Sequence, residues 1–139
     1  MNNKNYKPPL FWDEGKNYLI KKDKKLGNLI KSYPKDFLFS KSDPFLTLAR
    51  SIVGQQISVK AAQSVWDRLE IKIKKVTPLN IKMMHSNSFK SVGLSRQKVQ
   101  YLKNLSDAFI RNKIKIKLWS KMNDEEIIQD LIQIKGIGR

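Results

Sequence analysis

The chain has 139 residues, with 28 Lys+Arg against 12 Asp+Glu and a formal charge of +16. That imbalance favours a polyanionic partner, nucleic acid before an anionic membrane surface. The absence of cysteine excludes disulfides and thiolate metal sites, and the single histidine, His85, excludes a His-rich metal cluster and reads as a solvated loop residue. No apolar run is long enough to cross a bilayer and no signal-peptide pattern follows Met1, so a cytoplasmic protein is expected, nucleoid-associated when on DNA.

In chain order, Met1 to Leu10 is polar with Pro8-Pro9 and reads as an irregular lead-in. From Phe11 to about Tyr33 two weakly amphipathic helices are predicted, separated by the charged break Lys21–Lys25 and closed by Pro34. This N-terminal segment, 1–42, is set apart from a helical subdomain over 43–139. Asp43-Pro44 is a helix start, an N-cap aspartate followed by proline at the first helical position. Phe45, Leu48, Ala49, Ile52 and Val53 mark one apolar face. Gly54-Gln55-Gln56 ends that helix and Ser58 caps the next, whose buried side is read as Ala61, Ala62, Val65, Trp66 and Leu69. The short polar turn makes the pair a helical hairpin.

Ile71–Lys75 and Lys113–Leu118 alternate apolar and basic residues like strands. Neither has a third strand or turn chemistry beside it, so both read as connectors whose isoleucines touch the core. Thr77-Pro78 starts a short helix and Ser86 to Val92 forms another turn. Ser95 caps a longer helix to about Arg111 that buries Val99, Leu102, Leu105, Ala108 and Phe109. The last helix runs from Asn123, an N-cap completed into a capping box by Glu126, with Asp124, Glu125 and Glu126 at the favourable end of the helix dipole. Ile127, Ile128, Leu131 and Ile134 form its apolar face. The fold class is all-α, with seven or eight helices.

The final stretch, Leu131-Ile-Gln-Ile-Lys-Gly-Ile-Gly-Arg139, ends that helix in Gly136-Ile137-Gly138. One reading is a glycine helix terminator followed by a loop. The other is an anion site: the glycines take positive φ, Ile137 turns inward, and outward-facing amide N–H groups hold a phosphate.

Three segments, Asp43–Leu69 (DPFLTLARSIVGQQISVKAAQSVWDRL), Gly93–Ala108 (GLSRQKVQYLKNLSDA) and Met122–Arg139, resemble in order the DNA-3-methyladenine glycosylase II branch of the helix-hairpin-helix DNA glycosylases. The resemblance implies two helical subdomains flanking a cleft, with the chain stopping before the second hairpin helix. It implies a monomeric enzyme that flips alkylated purines out of duplex DNA and hydrolyses their N-glycosidic bond. It implies DNA phosphate contacts from Lys135, Gly136, Ile137, Gly138 and Arg139, and a minor-groove wedge at Gln55 and Gln56. A second DNA loop would comprise Gly93, Leu94, Ser95, Arg96 and Lys98. No cofactor is expected beyond a monovalent cation, Na or K, on the Gly136–Gly138 backbone. The family's catalytic aspartate lies beyond Arg139, and none of Asp13, Asp23, Asp36, Asp43, Asp67, Asp107, Asp124 or Asp130 matches it, so the chain as written is expected to be inactive. Without the second hairpin helix, Ile127, Leu131 and Ile134 are expected to lose apolar cover. Two other classes remain open: a glycosylase/lyase similar to endonuclease III, with a Schiff-base lysine after Arg139, and a non-enzymatic helix-hairpin-helix module with no use for a gap-filling glutamine. A basic membrane-surface protein is disfavoured, because no lysine-faced amphipathic helix carries aromatic anchors.

Overall fold

The structure, a computed structural model, describes residues 8–38 and 43–139. The first seven positions of the expected lead-in lie outside the described residues. The chain divides into two compact units, Met1–Ser42 and Asp43–Arg139. Among the described residues there is no strand, and no helix is long and apolar enough to cross a membrane.

The first unit is a helical pair, α1 (Trp12–Lys22) and α2 (Lys24–Ser32). The charged break is a single residue: Asp23 ends α1 and caps α2, its side chain accepting from the Leu26 amide at 3.0 Å. Gly27 lets α2 close on α1, since a Cβ there would sit 3.1 Å from the Ile20 carbonyl oxygen.

The second unit holds α3 (Pro44–Gly54), α4 (Val59–Ile73), α5 (Pro78–Met83), α6 (Ser86–Ser91), α7 (Arg96–Ile110), a 3-10 helix (Ile116–Lys121) and α8 (Asp124–Ile132). Each predicted cap is made. Asp43, Ser58, Thr77 and Ser95 accept from amides three residues on, and Asn123 and Glu126 exchange both bonds of the capping box. His85 is exposed but not idle, since its ring Nδ1 caps α6 by accepting from the Asn87 amide.

Helix α7 is central: α3 and α5 pack along it, and α4 packs on α3. The core combines Phe45, Ala49, Ile52 and Val53 of α3, Val65, Trp66 and Leu69 of α4, and Val99, Leu102, Leu105 and Ala108 of α7. Phe109 is half-buried, edge-on to Phe45 with ring centroids 5.1 Å apart.

Three expectations need correction. Ala61 is exposed; the close approach of α3 and α4 falls on its neighbour Ala62, whose Cβ faces Gly54. Ile71–Lys75 is no connector, because α4 continues through Ile73. Only Ile73, four residues after the buried Leu69, reaches the core, whereas Ile71 falls off that face and is exposed. Lys113–Leu118, by contrast, meets its expectation: Ile114 is buried and Ile116 packs on the core as the stretch enters the 3-10 helix. That helix is fastened by Asp130, which is 7% exposed and accepts from the Lys115 amide and the Trp119 indole, both at 2.8 Å. On α8, Ile134 is 4% exposed and covered by the core, while Ile127 and Leu131 are half-buried.

Candidate nucleic-acid interface

Three local structures of the second unit carry the residues singled out above. The first is the turn between α3 and α4. Gln55 has φ −53° and ψ 130°, Gln56 has φ +57°, and the Ile57 amide donates to the Gly54 carbonyl at 3.4 Å. This is a type II-like turn whose third position ordinarily takes glycine. Gln56 occupies it with a full side chain, exposed at the tip, and Ser58 immediately starts α4. A non-glycine residue here is a local strain that the surrounding caps hold in place.

The second is the bend after α8. The Ile134 amide donates to Leu131 at 3.0 Å and the Ile137 amide to Ile134 at 2.9 Å, while the side chains of both isoleucines pack on the core. Ile137 therefore turns inward as expected, but its amide is spent inside the bend. Among the described residues, the amides of Gly138 and Arg139 donate to nothing. The two glycines also differ. Gly136 has φ +113°, and a Cβ there would lie 2.3 Å from Tyr101 Cγ, so this backbone lies directly on the tyrosine ring. Gly138 has no positive φ and nothing within 4 Å of a would-be Cβ, so its lack of a side chain serves nothing inside the fold.

The third is the loop before α7. Gly93, exposed at φ +88°, turns the chain, and Arg68 Nε holds the loop through the Val92 carbonyl at 3.0 Å. Leu94 does not belong to a surface loop. It is 5% exposed, and the amides of Gly93 and Leu94 donate to Lys90 and Phe89 at the end of α6. Outward contacts are left to Gly93, Ser95 and Arg96. Lys98 is half-buried and donates from Nζ to the Val53 carbonyl at 2.7 Å, satisfying the C-terminus of α3, and burial lowers its pKa.

These segments meet. Gln55 Nε2 donates to the Gly136 carbonyl at 2.9 Å, across 81 positions of sequence. A cleft of about 380 Å³ lies between the turn and the bend, lined by Gln55, Gln56, Ser95, Lys98, Tyr101 and Gly136–Gly138. Sequence reasoning missed Tyr101, the floor under Gly136, and Asn104, whose Nδ2 donates to the Lys135 carbonyl at 3.2 Å. The available signal was their spacing, since Lys98, Tyr101 and Asn104 recur every three residues along α7.

At the rim, Lys135 is exposed and pairs with no carboxylate among the described residues. Arg139 differs, because its guanidinium makes a two-pronged pair with Glu125 of α8. The Gln129 amide and then Arg139 hold the Glu125 pKa below the usual carboxylate value. Arg139 therefore adds less free charge than Lys135. No aspartate or glutamate lines the cleft among the described residues. Asp43 caps α3, Asp107 pairs with Lys82, and Asp130 is spent on the 3-10 helix.

Residues 49–139 match the model of the HhH-GPD superfamily base excision DNA repair proteins. The chain is 32% identical over 120 residues to DNA-3-methyladenine glycosylase 1 of Schizosaccharomyces pombe, covering 84% of this chain and 53% of that protein. It is 35% identical over 107 residues to the DNA-3-methyladenine glycosylase of Saccharomyces cerevisiae, covering 69% of this chain and 36% of that protein. Among solved structures it resembles the S. pombe 3-methyladenine DNA glycosylase in complex with abasic DNA, with TM-score 0.78, 28% identity, and 91% of this chain and 65% of that one covered. The fold is also that of a DNA-3-methyladenine glycosidase from Bacillus halodurans, with TM-score 0.69, 24% identity, and 86% and 56% covered. The chain spans about half the length of the first of these curated relatives and less of the second.

Proposed function

The chain belongs to the HhH-GPD superfamily of base excision DNA repair proteins, and from that premise we propose that it is the duplex-holding part of an alkyl-purine DNA glycosylase. The observation that carries this reading is the 2.9 Å bond from Gln55 to Gly136, which seats a polar, strained turn tip beside a bend with unspent amides. One duplex can touch both. The bend receives a backbone phosphate at the Gly138 and Arg139 amides, with Lys135 adding charge. Gln56 enters the minor groove and fills the space left by a flipped nucleotide, where its amide can bond the orphaned base. Gly93, Ser95 and Arg96 serve the opposite strand.

The substrate class is duplex DNA bearing alkylated purines such as 3-methyladenine. Alkylation makes the base a cationic leaving group, so cleavage of the N-glycosidic bond needs little acid assistance. What it needs is a carboxylate facing the developing positive sugar. With no carboxylate lining the cleft among the described residues, the role assigned to these residues is to bind and open DNA, and the chemistry is assigned to a carboxylate elsewhere in the whole enzyme. A monovalent cation between bend and phosphate would rest on backbone carbonyls alone. The Gly136 carbonyl already accepts from Gln55, which leaves Ile137 and Gly138 as the freer oxygens of that stretch.

The test is direct. The 139-residue chain should bind a duplex containing a tetrahydrofuran abasic analogue more tightly than the same duplex intact, and should release no 3-methyladenine from methylated DNA. Equal affinity for the two duplexes would overturn the wedge. Base release by this chain would overturn the division of labour.

A further inference from the structure

We infer that the two adjacent glutamines do different work: Gln55 is a positioning residue that locks the phosphate-binding bend to the wedge turn, and Gln56 alone meets DNA. The inference rests on the DNA-binding reading above and assigns roles within it. Gln56 is exposed at positive φ and makes no side-chain hydrogen bond among the described residues. Gln55, half-buried, spends its amide on the Gly136 carbonyl. A side chain so engaged cannot also reach into a duplex without giving up that bond.

Helix α7 supports both corners separately. Lys98 holds the end of α3 at Val53, two residues before Gln55. Tyr101 lies under Gly136, and Asn104 holds the Lys135 carbonyl. What α7 does not supply is a direct tie between turn and bend, and Gln55 supplies it. A duplex spanning both corners gains most when their spacing is set before binding, because the ordering cost is then met during folding. A duplex gripped only through its phosphates has no such requirement.

The test uses the 139-residue chain with Gln55→Met, Gln56→Ala and the double substitution. Affinities are read by fluorescence anisotropy on the abasic-analogue and intact duplexes, with circular dichroism melting as the fold control. Gln55→Met, which keeps length and loses the donor, should weaken abasic-duplex binding about three- to tenfold, the worth of one net hydrogen bond. Intact-duplex binding should stay within about twofold. In the Gln56→Ala background, Gln55→Met should cost nothing further, since it then has no wedge to position. Additive losses would mean that Gln55 touches DNA itself, and equal losses on both duplexes would mean a merely structural role; either overturns the inference. In the unsubstituted protein, a through-hydrogen-bond NMR coupling between Gln55 Nε2 and the Gly136 carbonyl carbon should be present. Its absence overturns the inference even if Gln55→Met misfolds. A wild-type chain with no abasic preference would bring down the repair reading itself, and the assignment of roles with it. A wild-type preference that Gln55→Met leaves intact would sink only the assignment.

Discussion

Gly136→Ala and Gly138→Ala, two positions apart, should behave as opposites. At Gly136 a methyl would lie 2.3, 2.6 and 2.7 Å from the Cγ, Cβ and Cδ2 atoms of Tyr101, on a residue already at φ +113°. Forcing a side chain into a packed site costs about 1–3 kcal/mol, and the backbone conformation adds about 1–2 kcal/mol for any residue with a Cβ. Relaxation of the bend would recover part of this, so about 2–4 kcal/mol is expected. In a domain of this size that lowers the melting temperature by roughly 10–25 °C. At Gly138 a methyl meets nothing within 4 Å, so stability should stay within about 0.5 kcal/mol of wild type. On the reading proposed above, its damage should appear in DNA affinity, because the methyl would stand where a phosphate approaches the unspent amide. Thermal and urea melting of both variants, beside Tyr101→Ala and the Tyr101→Ala/Gly136→Ala pair, measures the share of the Gly136 cost that the tyrosine ring carries. Removing the ring should relieve the contacts with Cγ and Cδ2 but leave the 2.6 Å approach to Cβ, so the pair should recover part of the steric cost while the conformational part of about 1–2 kcal/mol stays. The reasoning fails if Gly136→Ala melts within about 2 °C of wild type. It fails equally if Gly138→Ala is as destabilising as Gly136→Ala.

Asp130→Ala would leave the Lys115 amide and the Trp119 indole without their acceptor; a loss of about 2–4 kcal/mol is expected, checked by urea unfolding. Lys82, by hydrogen bond and then by charge, holds the Asp107 carboxyl below its ordinary value of 3.8. A lowered folded-state pKa means that the pair's contribution is present above the unfolded value and lost as pH falls through the folded one. The urea-midpoint gap between wild type and Lys82→Met should therefore be constant above about pH 5 and close below the ordinary carboxyl range. Lys135→Gln should reduce the slope of log affinity against log salt by about 0.9 if that ammonium neutralises one phosphate. An unchanged slope would remove Lys135 from the contact surface.

The helices were legible because their signals are local. Asp43-Pro44, Ser58, Thr77-Pro78, Ser95 and the Asn123/Glu126 box each act within one turn of chain, and every one appears where the residues place it. The apolar faces of α3 and α7 follow from helical period in the same way. The misreadings came where two periods overlap. Ile71-Lys-Ile-Lys satisfies a two-residue repeat, but Ile73 also continues the row of Leu69, and propagation of a well-capped helix through that row prevailed. At Gly93-Leu94-Ser95 the segment was found but its internal division was not. Which of three neighbours faces solvent depends on where α6 ends, and Leu94 went to the core. Least legible were the bonds across the site. Gln55 and Gly136 stand 81 positions apart, and nothing in either neighbourhood distinguishes a glutamine that ties two loops from one that reaches outward.

On the reading proposed above, charge and geometry divide the binding task. The formal charge of +16 favours any polyanion as a partner, yet among the described residues the cleft holds one cation, Lys98, half-buried and committed to the Val53 carbonyl. On the proposed reading, the contacts that would tell one duplex from another are neutral: unspent backbone amides on the bend and an exposed amide side chain on the turn. Lysine substitutions on the surface should therefore change affinity and its salt dependence while leaving the ratio of abasic to intact binding alone. Gln56→Ala should change that ratio and leave the salt slope untouched. The strained φ of Gln56 points the same way. Glycine would relieve that strain, so Gln56→Gly should fold as well as wild type while losing the preference for a gapped duplex. A residue whose removal costs selectivity but no stability is held there by its ligand and not by the fold.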